Sequence, residues 1–202
     1  MSTYEQLKGL KVKYLSADTS GDRLVEGELF YNSADFGLKS HIATAAWSAG
    51  GSLGTGRYLV AGAGTQTAGL AFGGLSAQPA TNTAATEEYN GLGWTAGGNL
   101  SAVKRNLGGA GTQTAGLGFG GRGPDADTVS TEEYGGASWT AGGNMATARQ
   151  ALAGAGIQTA GLGIGGYVTG TGFINTSEEY DGSSWTAGGN LTAATGALAA
   201  AG

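Results

Sequence analysis

The chain has 202 residues, of which 42 are glycine, 2 are proline and none is cysteine, and its net charge is −5. The absence of cysteine excludes disulfide scaffolds, thiolate zinc sites and cysteine nucleophiles, and the single histidine, His41, leaves a Ser-His-Asp triad or a multi-histidine metal site almost nothing to draw on. The acidic balance and the lack of a basic run argue against nucleic acid and anionic membranes as partners.

The N-terminal part of the chain differs from the rest in charge and in glycine content. Its first residues, MSTYEQLKGLKVKYL, lack the apolar core of a signal peptide, and no apolar run reaches the ~18 residues of a membrane span. Residues 1–43 hold 11 of the 25 charged residues but only 4 of the 42 glycines. This shift predicts a domain boundary near residue 43, with one domain over 1–43 and another over 44–202, and we expect no membrane insertion.

Residues 44–202 are an internal repeat. Four tryptophans open nearly the same phrase, WTAGGNL, at intervals of 47, 45 and 46 residues: Trp47, Trp94, Trp139 and Trp185. Ten residues after the first three comes a base: Arg57, Lys104 and Arg149. An apolar stretch then ends in a glycine pair at Gly73-Gly74, Gly120-Gly121 and Gly165-Gly166. A Glu-Glu-Tyr triplet follows, ending at Tyr89, Tyr134 and Tyr180, and the next tryptophan comes after it.

The spacing within the repeats separates fixed segments from variable ones. The distance from tryptophan to the glycine pair is 26 residues in all three copies, and the distance from the first glutamate to the next tryptophan is 7. All variation in length falls in 75–86, 122–131 and 167–177. Because an insertion inside a strand would shift its register, we interpret these three segments as surface loops.

Each repeat predicts four short strands. One is the Thr-Gln-Thr-Ala-Gly-Leu stretch, a second ends in Glu-Glu-Tyr, and a third contains the tryptophan, after a turn such as Asn90-Gly91 or Asp181-Gly182. The fourth strand is expected around Arg57, Lys104 or Arg149. No segment shows a 3.6-residue apolar stripe, so the fold class predicted is all-β.

The glycine pair after an apolar strand, followed at fixed separation by tyrosine and tryptophan, resembles the kelch repeat, which is the blade of a β-propeller. The resemblance covers about 155 residues, although Trp47 opens the first unit without a preceding tyrosine. It implies that the glycines allow tight packing and that the aromatic side chains pack between blades. It also implies three full four-stranded blades and a partial fourth, preceded by a small N-terminal hairpin domain.

The amino-acid sequences of the repeats resemble those of kelch-like arrays in structural proteins of tailed, marine-type bacteriophages. The segment GELFYNSADFGLKS, residues 27–40, resembles a short hairpin near the start of many phage fibre proteins. The resemblance implies a virion protein, a tail fibre or tail-associated appendage, whose residues 1–43 attach to other virion proteins. Three full units and a partial one do not close a ring, since propellers typically have 4–8 blades. Either the array is longer or several chains combine, as in fibres that trimerise.

Candidate catalytic and metal groups all have a structural alternative that we favour. Adjacent residues of a strand point to opposite faces, so a Glu-Glu dipeptide is not a facing pair of catalytic carboxylates. We expect one glutamate of each pair to meet a neighbouring Arg or Lys, or solvent. Asp125 and Asp127 lack the glycine and distal glutamate of a calcium loop, so a solvated loop is expected there. No enzyme and no cofactor is predicted.

Two functions from different classes stay open. One is a rigid structural body of a virion, on the tail or as a decoration of the capsid surface. The other is a receptor-binding module for a host glycan or protein, for which the uncharged loops 75–86 and 167–177 are rich in hydrogen-bonding side chains. The loop residues that we single out as possible contacts are Thr81, Asn82, Asp125, Asp127, Thr169 and Asn175.

Overall fold

The computed structural model describes residues 49–197 and, before them, only the backbone of 13–15, 29–32 and 37–40. Contacts divide the chain into two compact units, Met1–Ala49 and Gly50–Gly202. Secondary structure in the described ranges consists of β-strands without any helix. Within these ranges no helix is long and apolar enough to cross a membrane.

The first unit contains a three-stranded sheet. It consists of β1 (Lys13–Leu15), β2 (Leu29–Asn32) and β3 (Gly37–Ser40), in the order β1-β2-β3. β1 runs parallel to β2, and β2 pairs antiparallel with β3 from Leu29 opposite Ser40 to Asn32 opposite Gly37. This antiparallel pair is the hairpin predicted over 27–40.

The second unit contains three four-stranded antiparallel sheets, which we name A, B and C. The first repeat forms β4 (Arg57–Tyr58), β5 (Ala61–Thr65), β6 (Ala68–Phe72), β7 (Leu75–Ser76), β8 (Thr86–Tyr89) and β9 (Trp94–Ala96). The second forms β10 (Gly108–Gly111), β11 (Gly116–Phe119), β12 (Thr131–Tyr134) and β13 (Trp139–Ala141). The third forms β14 (Ala153–Ile157), β15 (Ala160–Ile164), β16 (Tyr167–Val168), β17 (Gly172–Phe173), β18 (Ser177–Tyr180) and β19 (Trp185–Ala187). Sheet A has the order β5-β6-β8-β9, sheet B β10-β11-β12-β13 and sheet C β14-β15-β18-β19.

Two details of the predicted repeat are wrong. The first strand of each sheet does not lie around Arg57, Lys104 or Arg149 but begins four residues later, in segments made almost only of alanine and glycine. Arg57 instead lies in the two-residue β4, which pairs with β7 outside sheet A. The units also do not open at tryptophan, because each tryptophan strand is the last strand of its sheet. Trp47 lies outside the described residues.

The glycine pair after the second strand is required by its backbone conformation and by its surroundings. Gly73 and Gly74 have φ of 66° and 105°, in the left-handed region that side chains disfavour. A Cβ on Gly73 would lie 2.7 Å from the carbonyl oxygen of Lys104. The other two pairs have similar positive φ values, 61° and 98° for Gly120-Gly121 and 57° and 111° for Gly165-Gly166, so the three turns that end the second strands are built alike.

The sheets stack on one another, and each sheet has two different faces. The forward face carries large side chains of the second strand toward the following sheet, for example Leu70 and Phe72 of sheet A, which are fully buried. The rear face carries tyrosine, tryptophan and glycine toward the preceding sheet. The ring of Phe72 packs at 4.8 Å on Trp139 of sheet B, and Phe119 packs at 4.8 Å on Trp185 of sheet C. Each fully buried side chain of this size contributes about 1.5–3 kcal/mol.

Candidate functional site

A buried ion pair recurs in each of the three repeats. The base that follows tryptophan by ten residues meets the first glutamate of the third strand, with N–O distances of 3.0 Å for Arg57–Glu87, 2.6 Å for Lys104–Glu132 and 2.9 Å for Arg149–Glu178. The other carboxylate oxygen accepts a backbone N–H at 2.7 Å in every copy, from Gly54, Ser101 and Ala146. This confirms the expectation that one glutamate of each pair meets a neighbouring base.

The surroundings of Arg149 show how a buried guanidinium is held. Its side chain is fully buried, and Nη1 donates to the backbone carbonyls of Gly165 and Thr176 while Nη2 donates to Glu178. Burial lowers the pKa of Arg149, and the carboxylate of Glu178 counteracts part of that effect. The same two causes act on the pKa of Arg57. Each base is therefore a structural cation that joins a connection to a sheet.

The second glutamate of the pair and the tyrosine form a bond between sheets. The hydroxyl of Tyr134 donates to Glu88 of sheet A, and that of Tyr180 donates to Glu133 of sheet B at 2.5 Å. Burial and these carboxylates raise the pKa of both tyrosines to about 12. The aromatic residues that the resemblance places between blades thus carry a polar contact as well as a packing contact.

Two further side chains cross each junction between sheets. The indole N–H of Trp139 donates to the Thr86 hydroxyl at 2.9 Å, and that of Trp185 donates to Thr131 in the same way. Gln113, in the hairpin between β10 and β11, donates its amide to the carbonyls of Gly69 and Tyr89 of sheet A. Gln158 does the same to sheet B. A role for these glutamines was not predicted, although their fixed place nineteen residues after tryptophan was a signal for one.

The three variable loops meet at one end of the stack. Each joins the second strand of its sheet to the third, so all three project from corresponding strand ends. Asn82 of the first loop donates to the carbonyl of Arg122 in the second, and Arg122 donates to the hydroxyl of Thr169 in the third at 3.0 Å. We name this surface, formed by 75–86, 122–131 and 167–177, the loop face.

Asp127 is the centre of the contact between the second and third loops. Its carboxylate accepts hydrogen bonds from Arg122 at 3.0 Å, from Gln150 at 3.0 Å and from the backbone N–H of Thr169 at 2.7 Å. Burial alone would raise the pKa of Asp127, but the hydrogen bonds from Thr169 and Arg122 and the Arg122 charge outweigh burial and hold the pKa below its usual range. The solvated loop expected here is therefore wrong for Asp127, whose side chain is only 6% exposed.

The side chains of the other loop residues that the sequence singled out are not brought into this network, although the backbone carbonyl of Asp125 accepts a hydrogen bond from Arg122. Asp125 is exposed at the tip of its loop, and Thr81 is exposed and bonds within its own loop to Ser76. The amide of Asn175 donates to the carbonyl of Leu191 inside the third repeat. In the described part of the chain, no group of three or more His, Cys, Asp or Glu side chains is placed to hold a metal ion.

A series of backbone hydrogen bonds links successive connections near the beginnings of β5, β10 and β14, the first strands of the three sheets. Leu59, Asn106, Ala151 and Ala197 occupy the same place in four successive connections, and all four have φ between 52° and 56°. The N–H of Asn106 donates to Leu59, that of Ala151 to Asn106 and that of Ala197 to Ala151, at 2.7–3.0 Å. Beside this series of bonds lies an open cavity of about 260 Å³, lined in part by Val60, Leu107 and Leu152.

Comparisons with known proteins give a fold but no family. No protein-family model matches the chain, and no curated protein matches it. Among solved structures, a structure of YjhT matches with a TM-score of 0.59 at 15% sequence identity, covering 80% of this chain and 51% of that one. The chain therefore spans about half the length of that protein, and the likeness shows a shared all-β arrangement of stacked sheets.

Proposed function

We propose that sheets A, B and C are kelch-like propeller blades and that the chain is a non-enzymatic structural protein of a bacteriophage virion. In this proposal residues 1–43 attach to the particle, and the blades project from it as part of a tail fibre or tail-associated appendage. The viral origin rests on the resemblance of the repeat phrases and of the 27–40 hairpin to phage proteins.

The observation that carries the structural role is the identical construction of the two junctions between sheets. Each junction has one ring stack, one tyrosine–glutamate bond, one tryptophan–threonine bond and one glutamine bridge. Contacts of this kind in a repeat array make each sheet support the next, which gives a rigid body without disulfides. Such a body suits a projecting virion component.

The glutamate pairs also support a non-enzymatic role. The first glutamate of each pair is paired with a buried base, as Glu132 is with Lys104. The second accepts a tyrosine hydroxyl in the junctions of Glu88 and Glu133. General acid–base catalysis needs a carboxyl group that reaches a substrate proton. Five of the six carboxylates are instead occupied by neighbouring side chains, and the sixth, Glu179, is exposed.

Localisation on the particle tests the virion role. Antibodies raised against residues 44–202 are applied, with gold labels, to purified particles of the phage that encodes the chain. Label at the tail is the expected result. Label over the capsid shell replaces the appendage by a capsid decoration protein, and particles that contain no trace of the chain by mass spectrometry contradict a virion role.

A receptor-binding module is the second candidate, and the meeting of the three variable loops on the loop face favours it. Binding of the chain to a glycan array is compared with that of a variant whose 167–177 loop is replaced by a Gly-Ser segment of equal length. A matched control replaces Leu92, which is 86% exposed in the turn at the opposite strand ends of sheet A. Loss of a signal in the loop variant alone supports the module, whereas equal signals in both variants contradict it.

A further inference from the structure

Every junction inside the stack joins two unlike halves. The forward half offers leucine and a large apolar side chain, a carboxylate, a hydroxyl and two carbonyls. The rear half offers glycine where the leucine must fit, and donors from tyrosine, tryptophan and glutamine. Gly116 shows the fit, because a Cβ there would lie 2.7 Å from Cδ2 of Leu70, and Gly161 stands in the same relation to Leu117.

The forward face of sheet C carries the first half without a sheet of the described residues against it. Leu162 and Ile164 occupy the places of Leu70 and Phe72, yet they are half-buried where their counterparts are 2% and 0% exposed. Glu179 occupies the place of Glu88 and is exposed. The apolar side chains and the carboxylate that sheets A and B use for their successors are thus presented by sheet C as well.

The rear face of sheet A carries the second half, except that the indole N–H of Trp94 donates to the carbonyl of Gly51 in the preceding connection. Tyr89 is half-buried, whereas Tyr134 and Tyr180 in the same place are buried, and its hydroxyl bonds locally to Gly91 instead of to a glutamate. Gln66, which corresponds to the bridging glutamines, is exposed. The three atoms nearest to a Cβ on Gly69 would all belong to sheet A, at 3.5 Å or more, so no side chain of another sheet takes the place that Leu70 has at Gly116.

We propose that the forward face of sheet C docks onto the rear face of sheet A of a second copy of this chain, so that two copies close a ring of six sheets. Acceptors on one face meet donors on the other, with Glu179 opposite Tyr89 and Leu162 opposite Gly69 of the partner copy. The inference rests on the blade arrangement of the proposed function and not on the viral role.

The number of copies follows from the size of closed rings. A head-to-tail contact between copies either closes a ring or grows into a filament. Propellers typically close with 4–8 blades, and six is the only multiple of three in that range. The likeness to YjhT agrees with this size, since the part of that protein matched by this chain is 51% of its length.

One connection must give way at each junction between copies. Residues 50–60 and 188–197 are the same connection, before sheet A and after sheet C, and a junction has room for only one. Arg57 supplies the cation for Glu87, whereas Thr195 at the corresponding place has no charge. Residues 50–60 of one copy therefore replace 188–197 of the other, and we expect faster hydrogen exchange of the 188–197 amides in the dimer.

The mass of the full chain in solution tests the proposal. Sedimentation equilibrium is expected to give about twice the 19.8 kDa of one chain. Leu162→Arg blocks the forward face and Gly69→Leu blocks the rear face, so each variant alone is expected to have the mass of one chain. Val103→Arg, which places the same charge at an exposed position between sheets A and B, is the matched control and keeps the double mass.

Mixing the two blocked variants distinguishes this contact from any other dimer. Each keeps one intact face, so an equimolar mixture regains a species of two chains through a single junction. A single-chain mass for the unaltered protein at 100 µM overturns the proposal, and so does an open series of larger species. A mixture of the two variants that stays monomeric also overturns it. So does hydrogen exchange of the 188–197 amides that is equally fast in the unaltered protein and in the single-chain variants. Gly69→Leu keeps the test valid if Leu162→Arg fails to fold, because a Cβ at Gly69 would meet its neighbours only at ordinary contact distances of 3.5 Å or more. A virion without this chain would leave the dimer result unaffected.

Discussion

The close approach of β10 in sheet B to β14 in sheet C gives the sharpest prediction. A Cβ on Gly154, at the start of β14, would lie 2.3 Å from the carbonyl oxygen of Gly109 and 2.8 Å from Cζ of Phe119. Cβ atoms essentially never come within 3.0 Å of such atoms, so in Gly154→Ala the strands β10 and β14 must separate by about 0.7 Å. Overpacking of this kind costs about 1–3 kcal/mol, and we expect the upper end because the neighbour is backbone that has no other rotamer.

The same position in sheet A supplies a matched control. Gly62 corresponds to Gly154, but its nearest neighbour would be the carbonyl oxygen of Leu70 at 3.4 Å. Both variants are made in the single-chain Leu162→Arg background, in which no second copy lies behind Gly62. Gly62→Ala is then expected to stabilise by about 0.4–1 kcal/mol, because alanine restricts the unfolded chain. The two variants should differ by about 3.5–4 kcal/mol in the free energy of unfolding. Gly109→Ala, which would meet Gly62 at 2.6 Å, should fall between them.

Urea unfolding followed by tryptophan fluorescence measures this difference. The comparison uses midpoints only if the slope of free energy against urea is the same for all variants, since a changed slope means a changed unfolding transition. Equal midpoints for Gly62→Ala and Gly154→Ala would refute the reasoning, because the two substitutions differ only in the sheet that lies behind them.

Three further predictions follow from the junctions. Arg149→Met should destabilise by about 3–5 kcal/mol in urea unfolding, because it leaves the buried carboxylate of Glu178 unpaired. Adding Glu178→Gln should recover most of the loss. Gln113→Ala should destabilise by about 1–3 kcal/mol, since two partly buried carbonyls of sheet A lose their donor, whereas Gln66→Ala should have no effect in the single-chain Leu162→Arg background, where no second copy lies on the rear face of sheet A. Because the pKa of Tyr134 and Tyr180 is raised to about 12 from an ordinary 10, their contribution to stability is complete below pH 10 and is lost between about pH 10 and 12. Unfolding measured across that range should show a smaller fall for Tyr134→Phe; an equal fall would contradict the assignment.

The repeat spacing was enough to predict most of the second unit. Three sheets with Glu-Glu-Tyr strands, tryptophan strands and glycine-pair turns follow from features that recur at fixed intervals. The ion pairs were predictable for the same reason, because a base and a glutamate recur together in three copies. The first strand of each sheet, β5, β10 or β14, was not predictable, because segments such as Ala61–Thr65 have almost none of the β-branched and aromatic residues that mark strands.

The contacts of the loop face could not be predicted from one sequence. The network around Asp127 joins residues 42 positions apart, as in its bond to Thr169, and it occurs at one junction only. A pattern that does not repeat leaves no periodic signal, and the loops differ in length. The series of backbone hydrogen bonds through Leu59 and Asn106 was equally hidden, since left-handed backbone at non-glycine residues has little mark in the sequence.

The connection around Lys104 serves two sheets at once, and this governs how such an array changes length. Its carbonyl accepts the N–H of Gly74 from sheet A, while its ammonium neutralises Glu132 of sheet B. Recombination that removes or duplicates a whole period of about 46 residues joins halves that already match. A partial period would leave a buried glutamate without the cation that neutralises it. Genes for these arrays can therefore grow or shrink in whole periods without evolving a new interface.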